Sequence, residues 1–198
     1  MTLFTTIILG IIQGLTEFLP ISSSGHLILL EHLFGISDPS VFFNVLLHVG
    51  TLLAVFFYFR EKIWHLFMAV LKFDPNALRY IGFGIVATIP AGIIGIVFSD
   101  LIEPILTSSI TAGIGFIITG AALLSLKKIG TMTTKLETNH YQLPDSFTVL
   151  DAILIGTAQA FALLPGISRS GSTITAARWR GLNALDAFDF SFFLSIPA

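Results

Sequence analysis

The chain has 198 residues, of which 54% are hydrophobic and 11% charged, with a net charge of −2 at pH 7 and no cysteine. A soluble domain carries about 25% charged residues, so this composition predicts an integral membrane protein. The absence of a basic run argues against nucleic-acid binding, and the absence of cysteine excludes disulfide bonds and thiolate chemistry.

The first segment, residues 3–33, is apolar at both ends and polar in the middle, where residues 20–26 read Pro-Ile-Ser-Ser-Ser-Gly-His. An unbroken helix there would expose several polar groups to lipid. Backbone that is not helical is tolerated at membrane depth only when it is buried in protein. We therefore expect a re-entrant helix–loop–helix segment that returns to the side from which it entered.

Three stretches are apolar enough to cross a membrane, 41–59, 80–98 and 108–126, because a spanning helix needs about 20 residues. Residues 61–72 are too short to span and predict a helix at the cytoplasmic interface. Lysine and arginine follow the first and third spans, so the positive-inside rule places those connections in the cytoplasm and residues 31–40 outside.

After a cytoplasmic loop at about 127–147, residues 148–182 repeat the pattern of the first segment. Five residues recur at a constant offset of 146 positions and return as Gly156, Gln159, Ser168, Ser170 and Gly171, and only the proline slips by one. Because three spans separate the copies, the second is expected to enter from the opposite side. That is an inverted-topology repeat, whose broken helices meet near the membrane midplane.

The predicted fold class is thus an all-α integral membrane protein with an inverted-topology repeat and two re-entrant helix–loop–helix segments. It forms a single polytopic membrane domain, residues 1–198, with repeat one at about 1–126 and a truncated repeat two at about 148–198. Partners of residues 41–126 would lie at 187–272, so the chain is expected to be C-terminally incomplete.

The first copy carries the groups of an activated nucleophile. Gln13 and Glu17 are four residues apart and share one helix face; the acid can act as a base, bind a hard cation or be a buried neutral carboxyl. The serines at 22–24 can cap a helix or, with Gly25, bind phosphate at its start. A hydroxyl close to His26 and an acid can be activated for attack.

The second copy has Leu163 and Ser172 where the first has its acid and histidine, and it adds Arg169 among serine, glycine and threonine. An arginine in such a run is suited to bind phosphate; snorkelling to the cytoplasmic surface is the less favoured reading. One copy for reaction and one for anion binding would suit phosphoryl transfer. His48 lies in the first span and could support the site from behind the residues that contact the substrate, although helix packing is its favoured role; Asn44, on the same face, has a similar status.

With these motifs the chain resembles the undecaprenyl-diphosphate phosphatase family, the bacitracin-resistance membrane proteins of bacteria. The resemblance covers essentially the whole chain and rests on Gln13-x-x-x-Glu17 leading into residues 18–26, and on residues 165–173, Pro-Gly-Ile-Ser-Arg-Ser-Gly-Ser-Thr. It implies hydrolysis of undecaprenyl diphosphate to the monophosphate in the plasma (inner) membrane, which recycles the lipid carrier of peptidoglycan synthesis and confers bacitracin resistance. It also implies a divalent cation, Mg²⁺ or Ca²⁺.

The resemblance maps the family's acid, serine, histidine and arginine onto the expected catalytic residues Glu17, Ser23, His26 and Arg169. Phosphate is expected to be bound by Ser22, Ser24, Gly25, Ser168, Ser170, Gly171 and Thr173. The metal is expected at Glu17, with Gln13 as the further candidate; two carboxylates are not available, since the first position of the family's acidic pair is Gln13 here.

Two mechanisms stay open: Ser23 attacks phosphorus after activation by His26 or Glu17, or one of those residues activates water and Ser23 only binds. The expected partners are the polyprenyl diphosphate and membrane lipids, with the site open to the outer leaflet; a homo-oligomer is left open. The alternative function is a transporter or flippase for a lipid-linked anion. A soluble-type acid phosphatase is a distant third.

Overall fold

The computed structural model describes residues 2–36, 41–129, 141 and 143–196. These residues form α-helices and short 3₁₀ turns without β-strands, which confirms the all-α class. The helices are α1 Leu3–Thr16, α2 Ser23–Leu33, α3 Val41–Tyr58, α4 Arg60–Leu71, α5 Pro75–Val97, α6 Ser99–Ile102, α7 Ser109–Ser125, α8 Val149–Phe161, α9 Arg169–Trp179 and α10 Ala184–Leu194. The predicted loop at 127–147 and the segment 31–40 fall partly outside the described residues.

Two described helices are long and apolar enough to cross a membrane, Pro75–Val97 and Ser109–Lys128. Helices α3 and α4 form a third span if the bent pair is counted as one, and they meet at an angle of 70°. The three predicted spans therefore all correspond to helices. The bend separates α4 from α3, in agreement with the separate short helix predicted at 61–72. The location of α4 at the cytoplasmic interface stays a prediction.

The repeat recurs in the helix caps. Thr2 and Thr148, at an offset of 146, both begin a helix with a capping box, in which the threonine and the residue three positions later bond each other's backbone. Ser22 and Ser168 then cap α2 and α9, each accepting a hydrogen bond from a glycine amide. Both segments are thus helix–loop–helix units; their re-entrant course and inverted orientation stay predictions.

The one-residue slip of the proline has a structural cause. The break between α1 and α2 covers residues 17–22, whereas the break between α8 and α9 covers 162–168 and is one residue longer. The additional residue is Ala162, because α8 ends one position earlier than the offset of 146 would give, and no residue is inserted. Gly166 takes the position of Pro20; it follows Pro165 with a φ of +84°, and a Cβ there would collide with the main chain of Ala112. A glycine is needed because only it fits both this φ and this close contact.

The core lies between α5, α8, α9 and α10. Its largest side chains include Tyr80, Phe147, Ile155 and Phe190, and the rings of Tyr80 and Phe190 meet edge to face at 5.5 Å. Helix α8 approaches α5 closely because Gly156 leaves room for the α5 main chain. This core holds the second break in place beside the first.

Helix α7 contacts both breaks. Gly115 lies against the carbonyl oxygen of Pro165, and Phe116 packs edge to face on His26 at a centroid distance of 4.8 Å. Thr119 donates a hydrogen bond to the Gly166 carbonyl at 3.0 Å. The two breaks therefore share one rigid neighbour, which places their polar residues side by side.

Candidate active site

A pocket of about 490 Å³ lies where the two breaks meet α3 and α10. The polar residues of its wall are Thr16, Glu17, Ser22, Ser23, Ser24, His48, Thr51, Ser168, Arg169, Ser170, Ser191 and Ser195. Its apolar residues include Phe18, Leu19, Val45, Val49, Leu52, Val55, Leu163, Ile167 and Phe192. The pocket therefore offers both polar groups and apolar side chains to a ligand.

Glu17 is the residue on which the polar wall converges. It follows the last residue of α1, and its Oε2 accepts hydrogen bonds from Ser23 Oγ at 2.5 Å and from Gln13 Nε2 at 3.0 Å. Its Oε1 accepts a hydrogen bond from Arg169 Nη2 at 3.1 Å. The carboxylate thus joins residues of the first copy to the arginine of the second.

Ser23 is the first residue of α2 and is 9% exposed. Its hydroxyl donates to the Glu17 carboxylate, so the acceptor for the hydroxyl proton is already in hydrogen-bonding position. This geometry is the one that a serine activated by a general base requires. Of the two activating groups that the sequence left open for Ser23, the structure brings Glu17 into contact.

The two histidines near the site differ in what they contact. His26 Nδ1 lies 2.7 Å from the Ser22 carbonyl oxygen, and its ring packs on Phe116 rather than lining the pocket. His48 does line the pocket: its Nδ1 lies 2.8 Å from the Asn44 carbonyl oxygen and its Nε2 lies 4.0 Å from Glu17 Oε2. The carbonyl contact assigns the Nδ1 proton and turns Nε2 toward the carboxylate.

Arg169 is the first residue of α9, at the helix end that attracts anions. Its Nη2 donates to Glu17, whereas Nη1 is buried and has no hydrogen-bond partner among the described residues. Each copy also has a pair of neighbouring serine hydroxyls. Those of Ser22 and Ser24 are 3.3 Å apart in the first copy, and those of Ser168 and Ser170 are 3.3 Å apart in the second. An arginine with a free donor and nearby hydroxyls is suited to bind phosphate.

Comparison with known proteins identifies the family. The family model for bacitracin resistance protein BacA matches residues 6–198. The chain belongs to this family. It is 42% identical to the undecaprenyl-diphosphatase of Alkaliphilus metalliredigens over 100% of this chain and 74% of that protein. It is 46% identical to undecaprenyl-diphosphatase 4 of Bacillus thuringiensis strain Al Hakam, over 96% of this chain and 68% of that protein.

A third relative, the undecaprenyl-diphosphatase of Carboxydothermus hydrogenoformans, is 43% identical over 100% of this chain and 70% of its own length. The resemblance predicted from the two motifs is thereby confirmed. The family assignment and the apolar helices together make the chain a multi-pass membrane protein.

Three residues expected to bind phosphate have other contacts in this family member. The amides of Gly25 and Gly171 are bonded to the capping serines Ser22 and Ser168. Thr173 is 1% exposed, and its hydroxyl bonds the Arg169 carbonyl at 2.9 Å and the Ser191 hydroxyl at 2.6 Å. These contacts position the helix starts, and direct contact of the three residues with phosphate stays a prediction.

Groups that could hold a metal are few in the part of the chain that the structure describes. No cluster of three or more histidine, cysteine, aspartate or glutamate side chains occurs there, and Glu17 is the carboxylate that lines the pocket. Gln13 is 1% exposed, and its Oε1 has no hydrogen-bond partner among these residues because the amide nitrogen donates to Glu17. One carboxylate and one free carboxamide oxygen are ligands of the type that Mg²⁺ and Ca²⁺ prefer.

The wall residues that sequence reasoning did not assign to the site include His48, Ser191 and Ser195. For His48 it favoured helix packing, whereas the structure turns the ring toward Glu17. The two serines lie on α10 and after it, beyond both repeated motifs. Neither spacing nor composition points to these residues, since only the packing of α3 and α10 against the breaks brings them to the pocket.

Proposed function

We propose that the chain hydrolyses undecaprenyl diphosphate to undecaprenyl phosphate and phosphate, and so recycles the lipid carrier of peptidoglycan synthesis and confers bacitracin resistance. The observation that carries this proposal is the contact of Glu17 with both Ser23 and Arg169 in a pocket with polar and apolar walls. The names of the relatives support it, since each is an undecaprenyl-diphosphatase.

In the proposed reaction Arg169 binds the terminal phosphate, and Ser23 Oγ attacks its phosphorus. Glu17 takes the hydroxyl proton as the new O–P bond forms. The bond between that phosphorus and the bridging oxygen breaks, and undecaprenyl phosphate leaves. Water then hydrolyses the phosphoserine to restore Ser23. The hydrogen bond from Ser23 to Glu17 supports this sequence, because it places a proton acceptor on the serine hydroxyl.

Arg169 has a second task in this scheme. Phosphate that approaches the guanidinium competes with Glu17 for its donors, while Nη1 is available without such competition. Binding of phosphate would therefore weaken the ion pair with Glu17 and leave the carboxylate freer to accept a proton. Positioning and charge stabilisation of this kind provide most of the catalysis in phosphoryl transfer.

A divalent cation, Mg²⁺ or Ca²⁺, is part of the proposal. The diphosphate and the Glu17 carboxylate are both negative, and Arg169 contributes one positive charge. Glu17 and the Oε1 of Gln13 would hold the cation from the protein side, and with one carboxylate available the phosphate oxygens would complete the set. The ion would offset the negative charge on the phosphoryl oxygens.

The proposed location is the plasma (inner) membrane of a bacterial cell, with the pocket open to the outer leaflet. Arg60 and Lys62 lie in the first turn of α4, which connects the first two spans, and Arg79 lies near the start of the second span, α5. The positive-inside rule places that connection in the cytoplasm. The first re-entrant segment then has both ends outside, and its break faces the outer half of the membrane.

The test is phosphate release from undecaprenyl diphosphate by the detergent-purified chain, with and without EDTA, beside the Ser23→Ala variant. We expect release that requires a divalent cation and is lost in the variant. Saturable binding of the lipid without release by the wild-type chain would overturn the proposal and favour a transporter for a lipid-linked anion.

A further inference from the structure

A second buried carboxylate lies away from the pocket, between α2 and α3. Glu31, in the last turns of α2, is 4% exposed, and its Oε1 is buried without a hydrogen-bond partner among the described residues. The side chain of Asn44, in the first turns of α3, forms a hydrogen bond with this carboxylate. The Oδ1 of Asn44 is also buried and has no partner among those residues.

An ionised Glu31 is insufficiently compensated in this arrangement. A buried carboxylate costs several kcal/mol unless an opposite charge or enough donors neutralise it. The carboxamide of Asn44 supplies a neutral donor, and the ion pairs found in the described part of the chain do not include Glu31. Two oxygen acceptors from facing helices are thus available to one positively charged ligand.

The second copy shows that the fold does not need polar groups here. At the offset of 146, Glu31 and Asn44 correspond to Ala177 and Phe190, which are 1% and 0% exposed. Both belong to the apolar core around α9 and α10. The equivalent positions in the second copy are therefore occupied by apolar side chains, so the repeat itself does not require a polar pair at positions 31 and 44.

We propose that Glu31 and Asn44 bind a monovalent hard cation, Na⁺, between α2 and α3. Carboxylate and carboxamide oxygens are ligands for hard cations. A single positive charge neutralises Glu31, whereas a divalent ion would leave one uncompensated positive charge in poorly hydrated surroundings. The site is separate from the pocket, because neither residue lines it.

Thermal unfolding of the detergent-purified chain in NaCl and in choline chloride of equal ionic strength tests this site. A ligand that binds only the folded state stabilises it in proportion to the logarithm of its concentration once the site is saturated. We expect the Tm of the wild-type chain to be several degrees higher in NaCl and to rise with its concentration. The matched control is Glu61→Gln, whose side chain is 82% exposed and which should keep the full response to Na⁺.

Glu31→Gln should lose the response to Na⁺, and its Tm in choline chloride should equal or exceed that of the wild-type chain because the buried charge is removed. Glu17→Gln should keep the response, which distinguishes this site from the pocket. An equal Tm of the wild-type chain in the two salts, or a response to Na⁺ that persists in Glu31→Gln, would overturn the proposal.

Asn44→Asp provides a gain of function. With two carboxylates the charge balance favours a divalent ion. In a Glu17→Gln background, which removes the carboxylate proposed to hold a divalent ion in the pocket, we expect Asn44→Asp to be stabilised by CaCl₂ at concentrations that leave the Tm of Glu17→Gln alone unchanged. Stabilisation of Glu17→Gln alone by CaCl₂ to the same extent would overturn the assignment of a monovalent cation.

Discussion

Arg169 and Glu17, 152 positions apart in the chain, form an ion pair with a distance of 3.1 Å between Nη2 and Oε1. The arginine begins α9 in the second copy, and the glutamate follows α1 in the first. The first copy carries the serine and the acid of the proposed reaction, and the second carries the arginine that binds phosphate. This ion pair brings the two sets of groups together. The pocket is therefore a product of the repeat and not of either copy.

Arg169→Lys should lower phosphate release by about a hundredfold, because a lysine keeps the charge but not the two-pronged donor geometry. A loss of this size corresponds to about 2.7 kcal/mol of transition-state stabilisation. Steady-state kinetics with undecaprenyl diphosphate measures it. Arg60→Lys, at an exposed arginine on α4, is the control and should match the wild-type rate; activity of Arg169→Lys within threefold of wild type would contradict the assignment.

Ser23→Ala should abolish phosphate release, whereas Ser24→Ala should reduce it by less than about tenfold. The reason is the difference in partners: Ser23 donates to Glu17, and Ser24 contacts the Ser22 hydroxyl. Both variants remove one hydroxyl from adjacent positions of α2, which makes them a matched pair. Equal rates in the two variants would mean that water, rather than Ser23, is the nucleophile.

The sequence allowed prediction of the helix breaks and of their joint site, since proline, glycine and serine runs stand out in apolar segments. The offset of 146 correctly paired the capping residues Ser22 and Ser168. The position of individual residues within each break was harder to predict. The slip of Pro165 is explained only by Gly166, whose φ of +84° and contact with α7 depend on tertiary packing.

The contribution of α3 to the pocket could not be predicted from the sequence. Val45, Val49 and His48 lie in an apolar span whose pattern does not indicate which face meets the two breaks. A histidine in such a span usually packs between helices, so helix packing was favoured for His48 over a role in supporting the site. The distance of 4.0 Å between His48 Nε2 and Glu17 Oε2 in the structure is what distinguishes a role in the site from helix packing.

His48→Gln should lower phosphate release by more than tenfold with little change in Tm, because its side chain is 45% exposed and faces Glu17. His26→Gln should instead lower the Tm, because it removes the ring that packs on Phe116. Parallel measurements of turnover and thermal unfolding for both variants separate the effects. A loss of turnover confined to His26→Gln would restore the catalytic role that the family resemblance implies for that residue.

Gly115→Ala should destabilise the protein by about 1–3 kcal/mol, the usual cost of overpacking. A Cβ at this position would collide with the main chain of Pro165 and Gly166. Gly113→Ala, on the same helix, is the control: nothing lies within 4 Å of its added Cβ, and alanine favours helix. Thermal unfolding in detergent measures both, and equal Tm values would mean that α7 does not pack closely on the second break.

Thr119→Val should lower both stability and turnover. The Thr119 hydroxyl donates to the Gly166 carbonyl at 3.0 Å and accepts from the Ser168 amide at 3.0 Å. Valine has nearly the same shape but leaves both buried backbone groups unpaired, at a cost of about 1–3 kcal/mol for each group. Since Ser168 precedes Arg169, a relaxed break would also displace the guanidinium from Glu17.

Thr88→Val is the matched control, because among the described residues the Thr88 hydroxyl bonds the Ile85 carbonyl of its own helix and no group of the breaks. We expect that variant to keep the wild-type Tm within about a degree and to keep full phosphate release. For Thr119→Val, release should fall at temperatures well below its Tm, because the defect lies in the position of Arg169 and not only in unfolding. Full release by the folded variant would show that the break holds the arginine without help from α7.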